Sequence, residues 1–272
     1  MASTSERSER SGVVTLLTDF GERETWVGVM KGVLHTHATH LRAVVDLTHD
    51  VPPQDVRAAT FHLRHAWRWF PRGTVHVAVV DPGVGTSRAI LAASNAGHVF
   101  LAPDNGLLDG VLGDGDPVHA VDVGAYPERS NTFHGRDVFA PAAARLVDGA
   151  ELGDLGPALA PHTRVRLAPP LRRALVVRPL HEFEAHVEHV DRFGNLILDL
   201  DGSALGADPT LFEVVIGERR VPFTRAYGSA RPGDLLALVD SYGAVEIAVC
   251  NGDAARALCL QRGDLALVRR RT

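Results

Sequence analysis

Apolar runs and helix-period segments alternate through the first half of the chain. Residues 13–17 (VVTLL) form a short apolar run that ends in Thr18 and Asp19, the pattern of a buried strand with a carboxylate at its end. Residues 24–36 read as a helix and 43–47 as a second strand. Pro52 and Pro53 introduce a helix over 54–70, in which Val56, Ala59, Phe61, Leu63, Ala66 and Trp67 supply a buried face. Residues 75–80 predict a third strand, with Asp81 at its end. Residues 89–93 and 98–102, separated by SNAG, predict a hairpin. A further helix over 136–147 leaves His134 close to its N-terminus. Such alternation predicts an α/β domain.

The texture then changes. Residues 156–173 are rich in Pro, Ala and Arg without a sustained period, so a domain boundary is placed there, with domains over 12–170 and 171–272. Beyond it, apolar stretches at 185–190, 196–200, 211–216, 235–239, 245–249 and 265–268 are punctuated by Gly, Asp and Asn. Short strands at that spacing predict a small antiparallel sheet or barrel. No internal repeat is present. Residues 1–11 (MASTSERSERS) lack an apolar segment and read as a disordered tail, neither signal peptide nor anchor.

Composition narrows the function. The formal net charge of -5 argues against a nucleic-acid partner, and the arginines at 172–173 and 269–271 lack interleaved aromatics, as on a solvated surface. Cys250 and Cys259 are the only cysteines, which gives no disulfide framework and no zinc or redox spacing. No stretch approaches the roughly 18 apolar residues of a membrane helix. These features together predict a soluble, cytoplasmic protein with neither a membrane nor a nucleic-acid partner.

Chemistry concentrates in two segments. VDPGVGTSR (80–88) and TFHGRDVFAP (132–141) supply Asp81, Arg88 and His134, each at a point where a strand meets a loop or a helix begins. Ligands of sheet-based α/β domains gather outside the carboxyl ends of strands. DPGVGTSR has neither the lysine of a Walker loop nor the glycine spacing of a dinucleotide fingerprint. On its own it also fits a tight turn with an incidental Asp81 and Arg88 pair. Asp19, beside Gly21, suits ribose hydroxyls, and equally suits a turn or helix cap. His134 is one of 14 histidines, and a lone histidine is more often structural than catalytic. HTHATH (35–40) and HEFEAHVEH (181–189) are set aside as metal sites: the first pairs histidines two residues apart on a helix, and the second alternates as a strand.

DRFGN (191–195) offers an aromatic ring to stack on a flat ligand and an amide to pair with its edge, a combination suited to a nucleobase. A hairpin turn with a buried Phe193 is the other reading. DSYGAVEIAVCNGDA (240–254) adds Ser241, Glu246 and Asn251 on what otherwise reads as a strand between two turns.

Taken together and in this order, LTDFG, VDPGVGTSR, TFHGRD, DRFGN and SYGAVEIAV resemble the S-adenosyl-L-methionine hydroxide adenosyltransferase family, relatives of the fluorinating and chlorinating adenosyltransferases. The resemblance spans about residues 12–270. It implies an N-terminal α/β domain with a central sheet and a smaller C-terminal antiparallel β-barrel domain. It also implies a homotrimer whose active sites lie between subunits, and hydrolysis of S-adenosyl-L-methionine to adenosine and L-methionine without metal or cofactor. By motif position, Asp81, Arg88 and His134 are the catalytic set that handles water. Asp19 holds the ribose, Phe193 and Asn195 meet the adenine, and Asp191 and Ser241 hold the methionine amine and carboxylate. Phe133, Glu246 and Asn251 complete the implied substrate site.

The resemblance also separates hydrolysis from halide transfer. Halide-using relatives have a tyrosine at the position of Asp81, a serine at that of Gly135 and an arginine at that of Tyr242. A fixed carboxylate repels a halide by several kcal/mol at low effective dielectric, whereas it binds and polarises water. Asp240 stands where many hydrolytic members are expected to carry asparagine. An arginine beside Asp81 favours the carboxylate as hydrogen-bond acceptor, which leaves His134 as the expected proton acceptor. A non-catalytic S-adenosyl-L-methionine or nucleoside sensor is the competing reading from another class.

Overall fold

The run VVTLL becomes β1 (Val13–Thr18), a strand buried on both faces: Val14 and Leu16 enter one core, and Leu17 enters another. Two-sided burial is what a near-continuous apolar strand in a parallel sheet requires. A computed structural model of the chain describes residues 10–167 and 182–271. Residues 1–9 of the expected tail, the boundary at 170, the 172–173 arginine pair and His181 lie outside the described residues. The chain divides into two compact units, Met1–Leu167 and Ala168–Thr272.

In the first unit β1 is flanked in parallel by β2 (Ala43–Thr48) and β3 (Val75–Val79). Beyond β3 lie β4 (Ile90–Asn95), β5 (His98–Pro103) and β6 (Val118–Ala120), in the sheet order β2-β1-β3-β5-β4-β6. β5 is parallel to β3, and β4 is antiparallel to both β5 and β6. The hairpin between β4 and β5 turns through Ala96 and Gly97, both at positive φ, as the twist of a two-residue turn demands.

Helices α1 (Trp26–His37), α2 (Val56–Ala66), α3 (Ala140–Val147) and α4 (Leu152–Leu155) flank this sheet. Met30, Leu34 and Leu146 from α1 and α3 pack with Val14, Leu16 and Val77 on one face. Ala59 and Leu63 of α2 pack with Trp67, Leu17, Ala78 and Phe100 on the other. Each fully buried Leu or Phe contributes roughly 1.5–3 kcal/mol, so the two layers clamp the sheet.

Several elements differ from expectation. The helix expected over 54–70 is regular only from Val56 to Ala66, because Gln54 sits at φ 64 and Asp55 caps it through Ala58 N at 3.0 Å. The helix expected over 136–147 opens with a π-helical turn, Gly135–Phe139, before α3 begins. β6 and α4 are too short, at 3 and 4 residues, to show a period in the sequence.

The second unit is one sheet built from β7 (Glu182–Val190), β8 (Leu196–Asp201), β9 (Phe212–Ile216), β10 (Arg219–Pro222), β11 (Leu235–Val239), β12 (Ala244–Val249) and β13 (Leu265–Arg270). Its order is β10-β9-β13-β7-β8-β12-β11, antiparallel throughout. The two end strands approach each other where Thr224 N donates to Ala237 O at 2.7 Å beside the Phe223 and Ala237 bridge. The sheet is therefore nearly barrel-shaped, closed by that single bridge rather than by a full ladder. Val187, Leu198, Val214, Val245, Ile247 and Val268 fill its interior. β10 escaped the sequence reading because only Val221 of its four residues is buried. A short helix α5 (Ala254–Leu258) follows β12.

One polar cluster lies within the first core. Thr15 Oγ1 meets His76 Nδ1 at 2.8 Å, His76 Nε2 meets His98 Nδ1 at 3.1 Å, and the His76 ring stacks on Phe100. Burial, with His98 beside it, pushes the His76 imidazole down to about 3. The ordinary histidine value is near 6.5, so between these limits only the unfolded chain takes the proton. Stability present above pH 6.5 is therefore lost as pH falls toward 3. We expect His76→Gln to lose less stability than the wild type between pH 7.5 and 5, measured by urea midpoints. Parallel losses in both proteins would place the titrating group elsewhere.

Candidate active site

Parallel pairing of Thr18 with Val79 makes β1 and β3 leave the sheet side by side, so Asp19 and Asp81 emerge at neighbouring strand ends. After Asp81 the chain folds back through tight turns, with Val84 N on Asp81 O at 3.3 Å and Thr86 Oγ1 on Gly83 O at 2.7 Å. Gly85, at φ +77, passes so close to the neighbouring loop that a Cβ would lie 2.4 Å from Asn131 O. That turn returns Arg88 onto Asp81.

The contact is bidentate: Arg88 Nε donates to Asp81 Oδ1 at 2.7 Å, and Nη2 donates to Oδ2. Both side chains are largely buried, at 12% and 5% exposure. Arg88 Nη1 also donates to Ala89 O at 3.1 Å. Its Nη2 stands 3.5 Å from His134 Nδ1, an approach too long to fix the ring's tautomer. Buried His134 opens the π-helical turn, and its pKa is lowered by burial first and by the Arg88 charge second, with Asp81 opposing. The imidazole is therefore neutral at neutral pH. Asp81 and Arg88 of one loop and His134, 46 residues beyond Arg88, form one contact group.

Phe133, the residue before His134, belongs to an aromatic wall. Phe20, Trp26 and Phe133 contact one another at ring-centroid distances of 5.9–6.4 Å, and Trp26 is 48% exposed. Gly135 lies beneath this wall, where a Cβ would meet Met30 Sδ and Phe133 Cε2 at 3.1 Å and Phe20 Cε2 at 3.3 Å. Asp19 is half-buried and its Oδ2 accepts Gln54 N at 2.8 Å. Phe20 and Trp26 were not singled out in the sequence, since each reads as an ordinary apolar position there.

The second unit carries its own set. In the turn between β7 and β8, Asp191 Oδ1 accepts the amides of Phe193 and Asn195 at 2.8 Å each, and its Oδ2 accepts Asn195 Nδ2 at 2.9 Å. Gly194 holds φ +81 against Asp253, whose Oδ1 would lie 2.2 Å from an added Cβ. This turn buries Asn195 and thrusts Phe193 outward, 74% exposed, which overturns the alternative of a buried Phe193.

Glu246, on β12 and 3% exposed, accepts Tyr227 OH at 2.7 Å. Burial raises its pKa to about 7, with the charges of Asp191 and Asp240 adding to the rise and the Tyr227 bond opposing it. Asp240 Oδ1 accepts the amides of Tyr242 and Ala244 at 2.8 and 2.9 Å, and burial raises the Asp240 pKa. Ser241 and Asn251 lie exposed on the turns before and after β12. Asp191, Asn195 and Glu246 are thus drawn together, while Phe193, Ser241 and Asn251 present themselves outward. Tyr227 was missed because TRAYGS carries no periodic or motif signal. Among the described residues, no group of three or more His, Cys, Asp or Glu is placed to hold a metal ion.

An acid at the end of a parallel strand, in contact with a guanidinium and an imidazole from neighbouring turns, together with a β unit bearing an exposed aromatic and clustered carboxylates, is the mark of an enzyme acting on a small polar molecule. The chain belongs to the SAM hydroxide adenosyltransferase family: residues 14–156 match its N-terminal domain and 185–266 its C-terminal domain. It is 43% identical over 261 residues to the (R)-S-adenosyl-L-methionine hydrolase of Salinispora tropica, covering 92% of this chain and 95% of that protein. A fluorinase of an Actinoplanes species is more distant, 27% identical over 213 residues, covering 68% and 70% of the two chains. An uncharacterised conserved protein from Thermotoga maritima has the same fold, with a TM-score of 0.85, 33% identity and coverage of 94% and 100%.

The packing at Gly135 yields a test. Gly135→Ser, the residue assigned above to halide users, must displace Met30 or the aromatic rings, at about 1–3 kcal/mol for overpacking. We expect a melting temperature lower by about 2–8 °C and no gain of halide product. An unchanged melting curve would show that the wall yields freely.

Proposed function

We propose that the chain hydrolyses (R)-S-adenosyl-L-methionine by in-line attack of water on the 5′ carbon, releasing adenosine and L-methionine without a metal ion or cofactor. The observation that carries this reading is the buried Asp81 and Arg88 pair with a neutral His134 beside it. As the C5′–O bond forms, the C5′–S bond breaks and its electron pair stays on sulfur. Methionine leaves as a neutral thioether, so the leaving group needs neither a general acid nor a Lewis acid. Water is the weak partner. It must be held about 3–3.5 Å from the carbon and lose a proton.

In this reading Asp81, fixed by two guanidinium contacts, accepts a hydrogen bond from the water and aims it. Arg88 holds that carboxylate in place, and His134 accepts the proton. The Asp81 carboxylate also disfavours a halide in the same position. Asp19 holds the ribose hydroxyls beside Phe133. Phe193 and Asn195 take the adenine, and Asp191, Glu246 and Ser241 receive the methionine end. Asn251 borders that site. The enzyme works as a homotrimer in which the first-unit set of one subunit and the second-unit set of its neighbour serve one substrate. Two unpaired cysteines, Cys250 and Cys259, support a cytoplasmic location.

Incubation with the substrate in 18O-water tests the reaction. Label at the 5′ oxygen of adenosine is expected, and His134→Ala should lower kcat at least about tenfold. Bound but intact substrate would instead indicate a sensor, a 5′-halo product with chloride a halide transferase, and full turnover by His134→Ala a different base.

The Glu246 environment adds a pH dependence. Below about pH 7 this carboxyl is protonated and no longer attracts the substrate ammonium. KM is therefore expected to rise as pH falls below 7, and Glu246→Gln should raise KM at high pH and flatten that dependence. A wild-type KM constant from pH 8 to 6 would remove Glu246 from ammonium recognition.

A further inference from the structure

The first unit contains a chain of polar contacts that none of the proposed chemical steps uses. It begins at the backbone of Phe20, the residue after Asp19. Phe20 N donates to Thr18 Oγ1 at 3.2 Å, and Thr18 Oγ1 lies 2.9 Å from His49 Nδ1. His49 Nε2 stands 3.0 Å from Asp46 Oδ1, and Asp46 Oδ2 receives Lys31 Nζ at 2.5 Å. With the Thr18 hydroxyl donating to Nδ1, the proton sits on Nε2, which faces Asp46 Oδ1 as an electrostatic contact rather than an aligned hydrogen bond. A second link returns to the same loop, because Gly21 N donates to His49 O at 2.9 Å. Thr18 and His49 are buried, at 0% and 4% exposure.

Strand pairing brings these residues together. Along β1 and β2 the register runs Leu16 with Asp46 and then Leu17 with Thr48, so Leu47 is an extra, bulged residue. Bulges next to ligand sites re-aim the residues that follow. Here Asp46 and His49, three apart, face one another across the end of β2, and the His49 ring lies under Thr18. On its far side the Asp19 carboxylate is held by Gln54 N, a residue whose φ of 64 points that amide back at it. The loop of 19–21 is thus tied at Asp19 by Gln54, at Phe20 by Thr18, whose hydroxyl rests on the His49 ring, and at Gly21 by the His49 carbonyl.

We propose that Thr18, His49 and Asp46 are positioning residues that set the Asp19 carboxylate for the ribose diol, an inference resting on the reading of Asp19 given above. They touch no substrate. Their effect is on discrimination: a carboxylate held at the correct height accepts both ribose hydroxyls, and a loosened one does not. Loss of general stability would weaken every ligand alike, whereas loss of positioning weakens only ligands that carry the diol.

The test compares the affinities of the full-length protein for adenosine and 2′,3′-dideoxyadenosine by calorimetry. Wild type should prefer adenosine by about 10- to 100-fold, and Asp19→Asn should collapse that ratio. Thr18→Val, which keeps the side-chain shape, and His49→Gln should each reduce the ratio at least about threefold. Their affinity for 2′,3′-dideoxyadenosine should stay within about twofold of wild type. If Asp19→Asn collapses the ratio but Thr18→Val preserves it, the positioning role is wrong and the ribose reading stands. If Asp19→Asn itself leaves the ratio intact, the ribose reading falls and the proposal with it. Should His49→Gln fail to fold, Thr18→Val decides the outcome alone.

Discussion

The constraint on which the first unit depends is the parallel pairing of β1 with β3 inside two apolar layers. A strand buried on both faces cannot slip by one residue without exchanging its two cores, so its register is set. Parallel direction then sends both strand ends to the same edge of the sheet. Asp19 and Asp81 become neighbours for that reason, although about sixty residues separate them. The acid that emerges from β3 is neutralised where it appears: the turn after Asp81 brings Arg88 back within its own loop. A buried pair of this kind is costly to break from one side, because the remaining charge is left without compensation. The pair serves geometry and charge together.

The two units solve recognition by different physics. The first presents fixed donors and acceptors at strand ends backed by a core. The second uses a tight turn whose amides are gathered by Asp191, and this turn commits much of that carboxylate's hydrogen-bonding capacity to backbone. Burial and like charge around Glu246 then leave it poised near neutrality, where a cationic ligand has the largest influence on its protonation. Its hydrogen bond from Tyr227 holds the carboxyl in one orientation.

Much of the strand pattern could be read from the chain because alternation and apolar runs report burial directly. The limits of the regular helices could not. Gln54 and the π-helical turn at Gly135–Phe139 depend on contacts made by distant loops, and a periodicity argument carries straight through both. β10 was hidden for the opposite reason, since an edge strand with one buried residue leaves almost no apolar trace. The near-closure of the second sheet rests on one bridge between Phe223 and Ala237, a contact with no local signature.

By itself the sequence determined the identities and order of the motif residues, the α/β and all-β textures, and the membership those motifs imply, because each depends on residue type and local spacing. Only the tertiary structure decided which groups touch. It joined Asp81, Arg88 and His134, exposed Phe193, enclosed Glu246 among other acids and laid His49 beneath the Asp19 loop. Such contacts arise from strand register and from turns that fold the chain onto itself. Protonation states follow from them, since burial and neighbouring charge are properties of the packed molecule.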